Sequence, residues 1–476
     1  MVRCRTLTSL TVAAALTILG VPAADADTLP QALSKAYTFN PEIDAARATL
    51  RATDEGVALA RSGYRPTISS QFSASAQNTN LVPDSPAEGS TRPRTFQLSL
   101  SQPLFRGFST TNAVNEAEAN VRAGQQTLRN TEQSVLQQAV TAYMDVIRDA
   151  ALLRLQRANL TFLSRELRAT QDRFSVGEVT RTDVAQARAA RSAGRSAIEL
   201  AQANLRASQA SYRQIIGSAP SNLREPPVPA RRLPRSLSAA IGIGLRENPL
   251  VVQALYLEQA ARFNVDEVFG QLLPQADLEA SYTASRDPSR LTELNEQAIV
   301  TGRLTIPLYL AGSVRAQVRQ AKHQHVSALQ DIETQKRFVR QQVVAAWSLY
   351  RASTAQLVSD QARVDANQIA LSGVREEERV GQRTLLDVLE AQQNLLDAQV
   401  QLTTTKRDII VNAYAVLVAI GHLDGISYGA ASKLYDPNVH YHEVRREWWR
   451  ISITDRRGYS TQLDLWDIVG RHRPHK

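Results

Sequence analysis

The sequence has a single cysteine, Cys4, in 476 residues. Past that position no disulfide, thiol nucleophile or cysteine metal site can form. Beyond the N-terminal run LTVAAALTILGV, no apolar stretch approaches the ~20 residues of a spanning helix, so any passage through a membrane falls to β-structure. Proline is missing from Leu104 to Ala219 and from Leu308 to Asp436, which leaves both stretches without the strongest helix breaker. A basic patch is missing too, apart from the locally basic C-terminal segment with VRREWW and RHRPHK. The net charge is +9, but Lys and Arg alternate with Asp and Glu along helical faces, which describes a solvated surface and argues against nucleic acid as a partner. Phosphate loops and nucleophile elbows are absent. His323 and His325 stand at i and i+2 of a helix, on different faces, so they do not form a metal pair. No catalytic, metal or cofactor site is expected, and the chain does not read as an enzyme.

Arg3 and Arg5 precede the apolar run, which ends at Ala24-Asp25-Ala26, an A-x-A cleavage pattern. The expectation is a signal peptide over 1–26, export, and a mature chain from Asp27. Cys4 lies before the apolar run, where it cannot carry a lipid after processing, so the exported chain reads as not lipidated.

An internal repeat organises the rest. Asn40-Pro41 falls on Asn248-Pro249 and Pro66 on Pro274 at an offset of 208 residues. Gly177 with Gly381, Asp183 with Asp387, and Ile216-Gly217 with Ile420-Gly421 match at an offset of 204. The slip lies between Ala76 and Pro103, where Pro83, Asp84, Pro86 and Gly89 mark a loop. The units are a first repeat over 27–217, a linker over 218–235, a second repeat over 236–423 and a tail over 424–476.

Each proline-free stretch is rich in Ala, Gln, Arg, Glu and Leu and broken once, at RFSVGEVTRTD and EERVGQRTLLD, where glycine and a Thr/Asp cap predict a tight turn. Each repeat therefore reads as short helix, two strands, very long helix, turn and medium helix. The long helix, about Thr110 to Phe174, would reach ~100 Å. The short helix (Pro30 to Ser62) and medium helix (Thr182 to Ile216), end to end, match it. Their ends should place the mature N-terminus, the linker and the tail in a belt at mid-height. Val114, Val121, Leu128 and Val135 recur at a coiled-coil spacing, thinned by Ala and Gln, and periodicity leaves a solid bundle and a wet enclosure equally open.

Four short segments alternate strictly. In RTFQLSLSQPLF, Phe96, Leu98 and Leu100 share one face and Thr95, Gln97 and Ser99 the other. PTISSQFSASAQ puts Phe72 on an apolar face, QADLEASYTA does the same for Leu278 and Tyr282, and QAIVTGRLTIP for Val300 and Leu304. Such segments fit outer-membrane barrel strands, lipid on one side and water on the other. Loops at 78–93 and 285–294 would lie across the membrane. Four strands cannot close a barrel, so several chains must pool theirs.

The tandem repeat, NPEIDAARA with NPLVVQALY, QPLFRG with IPLYLAG, and the two turn motifs together resemble the TolC family of trimeric outer-membrane channel-tunnels, over Thr28 to Leu423. The resemblance implies a mostly α protein with a β-barrel: a homotrimer with a twelve-stranded barrel in the outer membrane of a Gram-negative bacterium and a twelve-helix tunnel in the periplasm. It implies an exit duct for efflux or type I secretion. Partners would be a periplasmic adaptor (membrane fusion protein), an inner-membrane translocase of the RND pump or ABC transporter type, and outer-membrane lipid. Adaptor-docking tips would be Val176, Gly177, Glu178 and Thr180 with Val380, Gly381 and Thr384. An acidic entrance ring would hold Asp387 and Glu390, the family having Asp at the second position. A gate latch would involve Thr182, Asp183, Arg383 and Lys406, with Glu378 and Lys406 standing where the family example carries tyrosine and arginine. A periplasmic coiled-coil scaffold is the rival reading; it accounts for the helices and leaves four lipid-patterned strands unexplained. A hydrolase with an unrecognised site would need activity without partners. Drug and protein substrates are indistinguishable here, since the translocase does most of the selecting.

Overall fold

The computed structural model describes residues 27–80, 83, 86, 88–424, 435–448, 453–454 and 460–461. The expected signal peptide, with Cys4, lies outside the described residues, as does Trp449.

The helices follow the proline map. α3 (Ser109–Ser175) and the helix α7 (Ser313–Arg379) each run 67 residues, ~100 Å of unbroken helix. The medium helices are α4 (Arg181–Ile216) and α8 (Leu385–Ala419). The short helix expected over Pro30 to Ser62 is in fact two, α1 (Leu29–Phe39) and α2 (Pro41–Ser62). The second repeat has the same pair, α5 (Leu237–Glu247) and α6 (Pro249–Gly270). Proline lacks the N–H that a continuous helix would need, and it forces the residue before it into extended backbone.

Asn40 and Asn248 turn that break into a joint. The Asn40 side chain accepts from Glu42 N at 2.8 Å and donates to the Ile215 carbonyl at 3.0 Å. Asn248 accepts from Leu250 N and donates to the Ala419 carbonyl, both at 2.9 Å. Each asparagine thus caps one helix and ties the break to the last turn of the medium helix, which stacks two short rods into one long one.

The main apolar core lies at this level. Leu33, Ala36, Val140, Tyr143, Tyr212, Leu417 and Ile420 are buried there together. The Tyr143 hydroxyl sits 2.8 Å from the Asp27 carbonyl and 2.7 Å from that of Arg224, and Asp27 N donates to Ser221 O. Asp27, the first described residue, and the linker therefore meet beside the middle of α3. Away from this level the other buried apolar clusters are small, and Asp149, Asn159 and Asp360 are buried along the long helices. A coat of Ala and Gln holds these helices side by side without a continuous greasy core.

One antiparallel sheet carries β1 (Thr67–Ala74), β4 (Arg94–Arg106), β5 (Gln275–Ser289) and β6 (Thr292–Thr305) in that spatial order. A small hairpin of β2 (Gln77–Thr79) and β3 (Gly89–Thr91) extends the first loop. The second loop, expected over 285–294, is almost entirely strand: β5 and β6 pair out to Ser289 with Thr292, leaving a tight turn. Arg290 at that turn donates to the Glu88 carbonyl at 2.8 Å, so the two loops support one another.

Directly paired residues project to the same side of a sheet. Ile68, Leu100, Ala280 and Val300 form one row across all four strands, and Ser70, Leu98, Tyr282 and Ala298 the next. Phe72 pairs with Phe96, and Leu278 and Leu304 continue the same side toward the helices. Gln71, Gln97, Thr283 and Gln297 make a row on the opposite side. The eight residues read as lipid-facing therefore share one face of a single sheet. Among the described residues, its outer strands β1 and β6 have unpaired edges.

Sheet and helices meet through close backbone contact. A side chain at Gly107, whose φ is +58°, would lie 2.2 Å from the Gly270 carbonyl oxygen, so only glycine fits there. Just below, burial followed by a hydrogen bond with Glu116 pushes the Glu267 carboxyl up to about 7, and Asn264 donates to Glu116 at 3.2 Å. These contacts join α3 to α6 beside the sheet.

Candidate functional site at the helix tips

The far ends of the long helices form two matching turns. α3 ends at Ser175 and α7 at Arg379, and Gly177 and Gly381 follow in the left-handed region with φ of +82° and +77°. Glu178 N donates to Arg173 O at 3.0 Å and Gln382 N to Glu377 O at 2.8 Å, which satisfies carbonyls that a helix end leaves free. The next helix starts on a capping box. Thr180 Oγ1 accepts from Asp183 N at 3.3 Å while Asp183 Oδ2 accepts from Thr180 N at 2.8 Å, and Thr384 with Asp387 repeats both distances. Val176 and Val380 are each 70% exposed, and nothing lies within 4 Å of where a Cβ on either glycine would sit. The predicted docking residues thus form two rigid, solvent-facing knuckles.

One charged contact joins the two tips and another braces the second turn. Arg173 on α3 donates to Glu378 on α7, joining the two long helices, and Arg383 Nε donates to Glu377 at 2.9 Å within the second turn. Burial, then the neighbouring Glu378 charge, raises the Glu166 carboxyl above its ordinary range. Leu167, Ala187 and Leu385 are buried together beneath, as are Leu371, Val388 and Leu395. The backbone N–H of Thr384, then its hydroxyl, hold Asp387 below the usual carboxylate range, so it is an anion at neutral pH. Glu390 is exposed one turn further along α8.

Among the described residues, those expected to form the latch are exposed or bonded to other partners, not to one another. Asp183 is engaged by its own helix cap, Thr182 is exposed beside it, Arg383 binds Glu377 and Glu378 binds Arg173. Lys406 is exposed on α8, ~28 Å along the helix from Asp387. Sequence reading missed Arg173 and Glu377. The repeat held a signal for them, because the two positions fall on one another at the 204 offset with opposite charges. It also missed the buried bond from Thr405 Oγ1 to Asp360 Oδ2 at 2.6 Å, next to Lys406. His325 lies 2.6 Å from Glu258 and bridges α7 to α6.

A sheet with one lipid-patterned face, carried on paired helices of ~100 Å, defines the channel-tunnel class of outer-membrane proteins. The chain belongs to the outer membrane efflux protein family, whose profile matches residues 32–218 and again 241–422. It is 38% identical over 457 residues to the outer membrane efflux protein BepC of Brucella suis, covering 95% of this chain and 98% of that one. It is 28% identical to the outer membrane protein TolC of Vibrio cholerae, over 84% of this chain and 91% of the relative. The solved Campylobacter jejuni CmeC outer membrane channel superimposes with a TM-score of 0.74 at 18% identity, covering 88% of this chain and 89% of that structure, and so shares its fold. The protein is an outer-membrane exit duct of the kind that serves efflux and type I secretion, and the members of its family are channels.

Proposed function

We propose that three copies of this chain pool their strands into a twelve-stranded barrel and their helices into a twelve-helix tunnel, through which substrates leave an inner-membrane translocase. The observation that carries this reading is the sheet. It has one face dominated by apolar rows, interrupted by Ser70, Gln102 and Glu296, and, among the described residues, open edges at β1 and β6, and open edges are not stable in hydrocarbon. Closing the barrel with neighbouring copies satisfies both edges. The N-terminal 1–26 segment is removed on export, leaving an unlipidated chain. The knuckles at Val176 to Thr180 and Val380 to Thr384 receive a periplasmic adaptor, and an RND pump or ABC transporter supplies the driving energy.

At the periplasmic mouth, Asp387 and Glu390 of each copy gather six carboxylates. Held as an anion by its cap, Asp387 keeps its part of the ring charged at neutral pH, and a ring of like charge in a narrow pore selects cations. Asp183, Arg383 and Lys406 act between copies as the latch; within one copy Asp183 is taken up by its own cap and Arg383 by Glu377. In planar bilayers the protein is expected to form discrete cation-selective channels blocked by multivalent cations. Asp387→Asn with Glu390→Gln, which keeps acceptors for the cap, is expected to lose most of the selectivity and the block. A wild-type protein that gives no channels would contradict the duct, and a double variant with unchanged selectivity would remove the ring.

A further inference from the structure

The described C-terminal residues do not stay in the belt at mid-height. Tyr435 lies against Arg47, and the short helix α9 (Pro437–Val444) then runs along α2 toward the barrel. Asp436 caps that helix, accepting from Asn438 N at 2.9 Å. The segment is bonded at every turn. His440 Nδ1 lies 2.9 Å from Asp54 Oδ2, a carboxylate with no exposed surface. Arg445 pairs with Glu118 at 3.2 Å, and Arg61 donates to the Arg445 carbonyl at 3.1 Å. The segment ends with Trp448 stacked on Arg65, 4.6 Å from ring centre to guanidinium, two residues before β1 begins.

Which side of the helix wall this segment occupies follows from α3. Glu118 and Gln125, which meet α9, are seven apart and share one face. Ser109, Glu116 and Thr127, which meet α6, lie on the opposite face. Helices closing around a lumen have neighbours turned inward, so the α9 contact is on the outer surface. At the same height, the Pro103/Phe105 bulge moves Phe105 into the row of Ala276 and Leu304, on the lipid-patterned face, where it meets Phe108 edge-on at 5.1 Å. Tyr64, Phe105, Arg106 and Phe108 line one cleft there. Trp448 is 58% exposed, a large aromatic surface left open at the rim of the membrane band.

From this we infer that residues 435–448 form a strap that carries Trp448 and its partner Arg65 into the periplasmic leaflet of the outer membrane, with phospholipid as the occupant of the exposed face. Indole rings partition to the headgroup level, where one edge is wet and the other apolar. Arginine beside an aromatic suits the phosphate of the same headgroup. Charge in the following sequence agrees: Arg450, Arg456, Arg457, Arg471, Arg473 and Lys476 outnumber Asp455, Asp464 and Asp467. The Asp54–His440 pair is the clasp that fixes the height of the tryptophan.

The strap depends on the reading of the four strands as a membrane barrel, and the test separates the two. Full-length protein with Trp347→Phe, Trp449→Phe and Trp466→Phe retains Trp448 alone and is reconstituted in phosphatidylethanolamine and phosphatidylglycerol vesicles. Phospholipid brominated near the headgroup end of its acyl chains is expected to lower the emission roughly twofold, with little quenching by aqueous iodide. His440→Ala in the same background is expected to lose at least half of that quenching, while His440→Gln, able to keep the bond to Asp54, retains it. Protein that floats with vesicles yet shows iodide quenching without bromolipid quenching would overturn the strap and leave the barrel standing; its face would then be open to solvent or to another protein. Unchanged quenching in His440→Ala would overturn the clasp. Protein that fails to float would overturn the barrel.

Discussion

Replacing Gly177 or Gly381 with tryptophan is expected to abolish export while leaving the assembled protein in the outer membrane. Both glycines have positive φ, so a substituted residue carries backbone strain of ~1–2 kcal/mol. That cost is local, because the Cβ position of each is open and a large side chain would project into solvent. The turns are also held independently by the Thr180/Asp183 and Thr384/Asp387 caps and by the Arg173–Glu378 pair. Folding should therefore survive, and the loss should come from a bulky group standing where the adaptor sits. Native gels of membrane extracts, beside an export assay, read the two outcomes separately. Loss of assembly with loss of export would reduce the glycines to turn formers.

Asp183→Ala combined with Arg383→Ser is expected to raise single-channel conductance severalfold. Each proposed link between copies would be an exposed charge contact of ~1 kcal/mol or less, so threefold repetition could hold a closed mouth that a docking partner still opens. Because Asp183 also belongs to a cap, its removal costs the tip up to ~1 kcal/mol of helix stability whatever its role in gating. Thr180→Ala separates the two effects, since it weakens the same cap and keeps the carboxylate. Raised conductance in the double variant with ordinary conductance in Thr180→Ala places the carboxylate in the latch. Equal changes in both would assign the effect to a frayed helix end, and no change in the double variant would place the latch elsewhere.

Much of the fold could be read from punctuation. Two proline-free stretches mark two helices of 67 residues, and strict alternation at Phe96, Leu98 and Leu100 matches the apolar rows of the sheet. Asn40-Pro41 and Asn248-Pro249 were legible as a repeat but not as joints, because the partners of each asparagine, Ile215 and Ala419, lie more than 170 positions away. Ser285 to Leu294 reads in the sequence as the loop of the second hairpin, yet pairing with β6 carries the strand past Asp287. The strap was invisible because His440 finds Asp54 across the whole length of the chain. At the tips, Thr-x-x-Asp spelled the caps in the sequence, while the pairing of Arg173 with Glu378 depends on how two long helices are set side by side. Local chemistry was legible; contacts between distant elements came only with the fold.

In the proposed trimer, β1 of one copy meets β6 of the next until a barrel closes. Gln71 on β1 and Gln297 on β6 lie in one polar row, and the described residues contain no cysteine. A Gln71→Cys, Gln297→Cys variant in outer-membrane vesicles, treated with a bis-maleimide whose flexible spacer spans the stagger that barrel closure imposes between neighbouring strands, should run on a denaturing gel as dimer and trimer bands and nothing larger. A product that stays monomeric, or a ladder that continues past the trimer, would contradict a closed barrel of three chains.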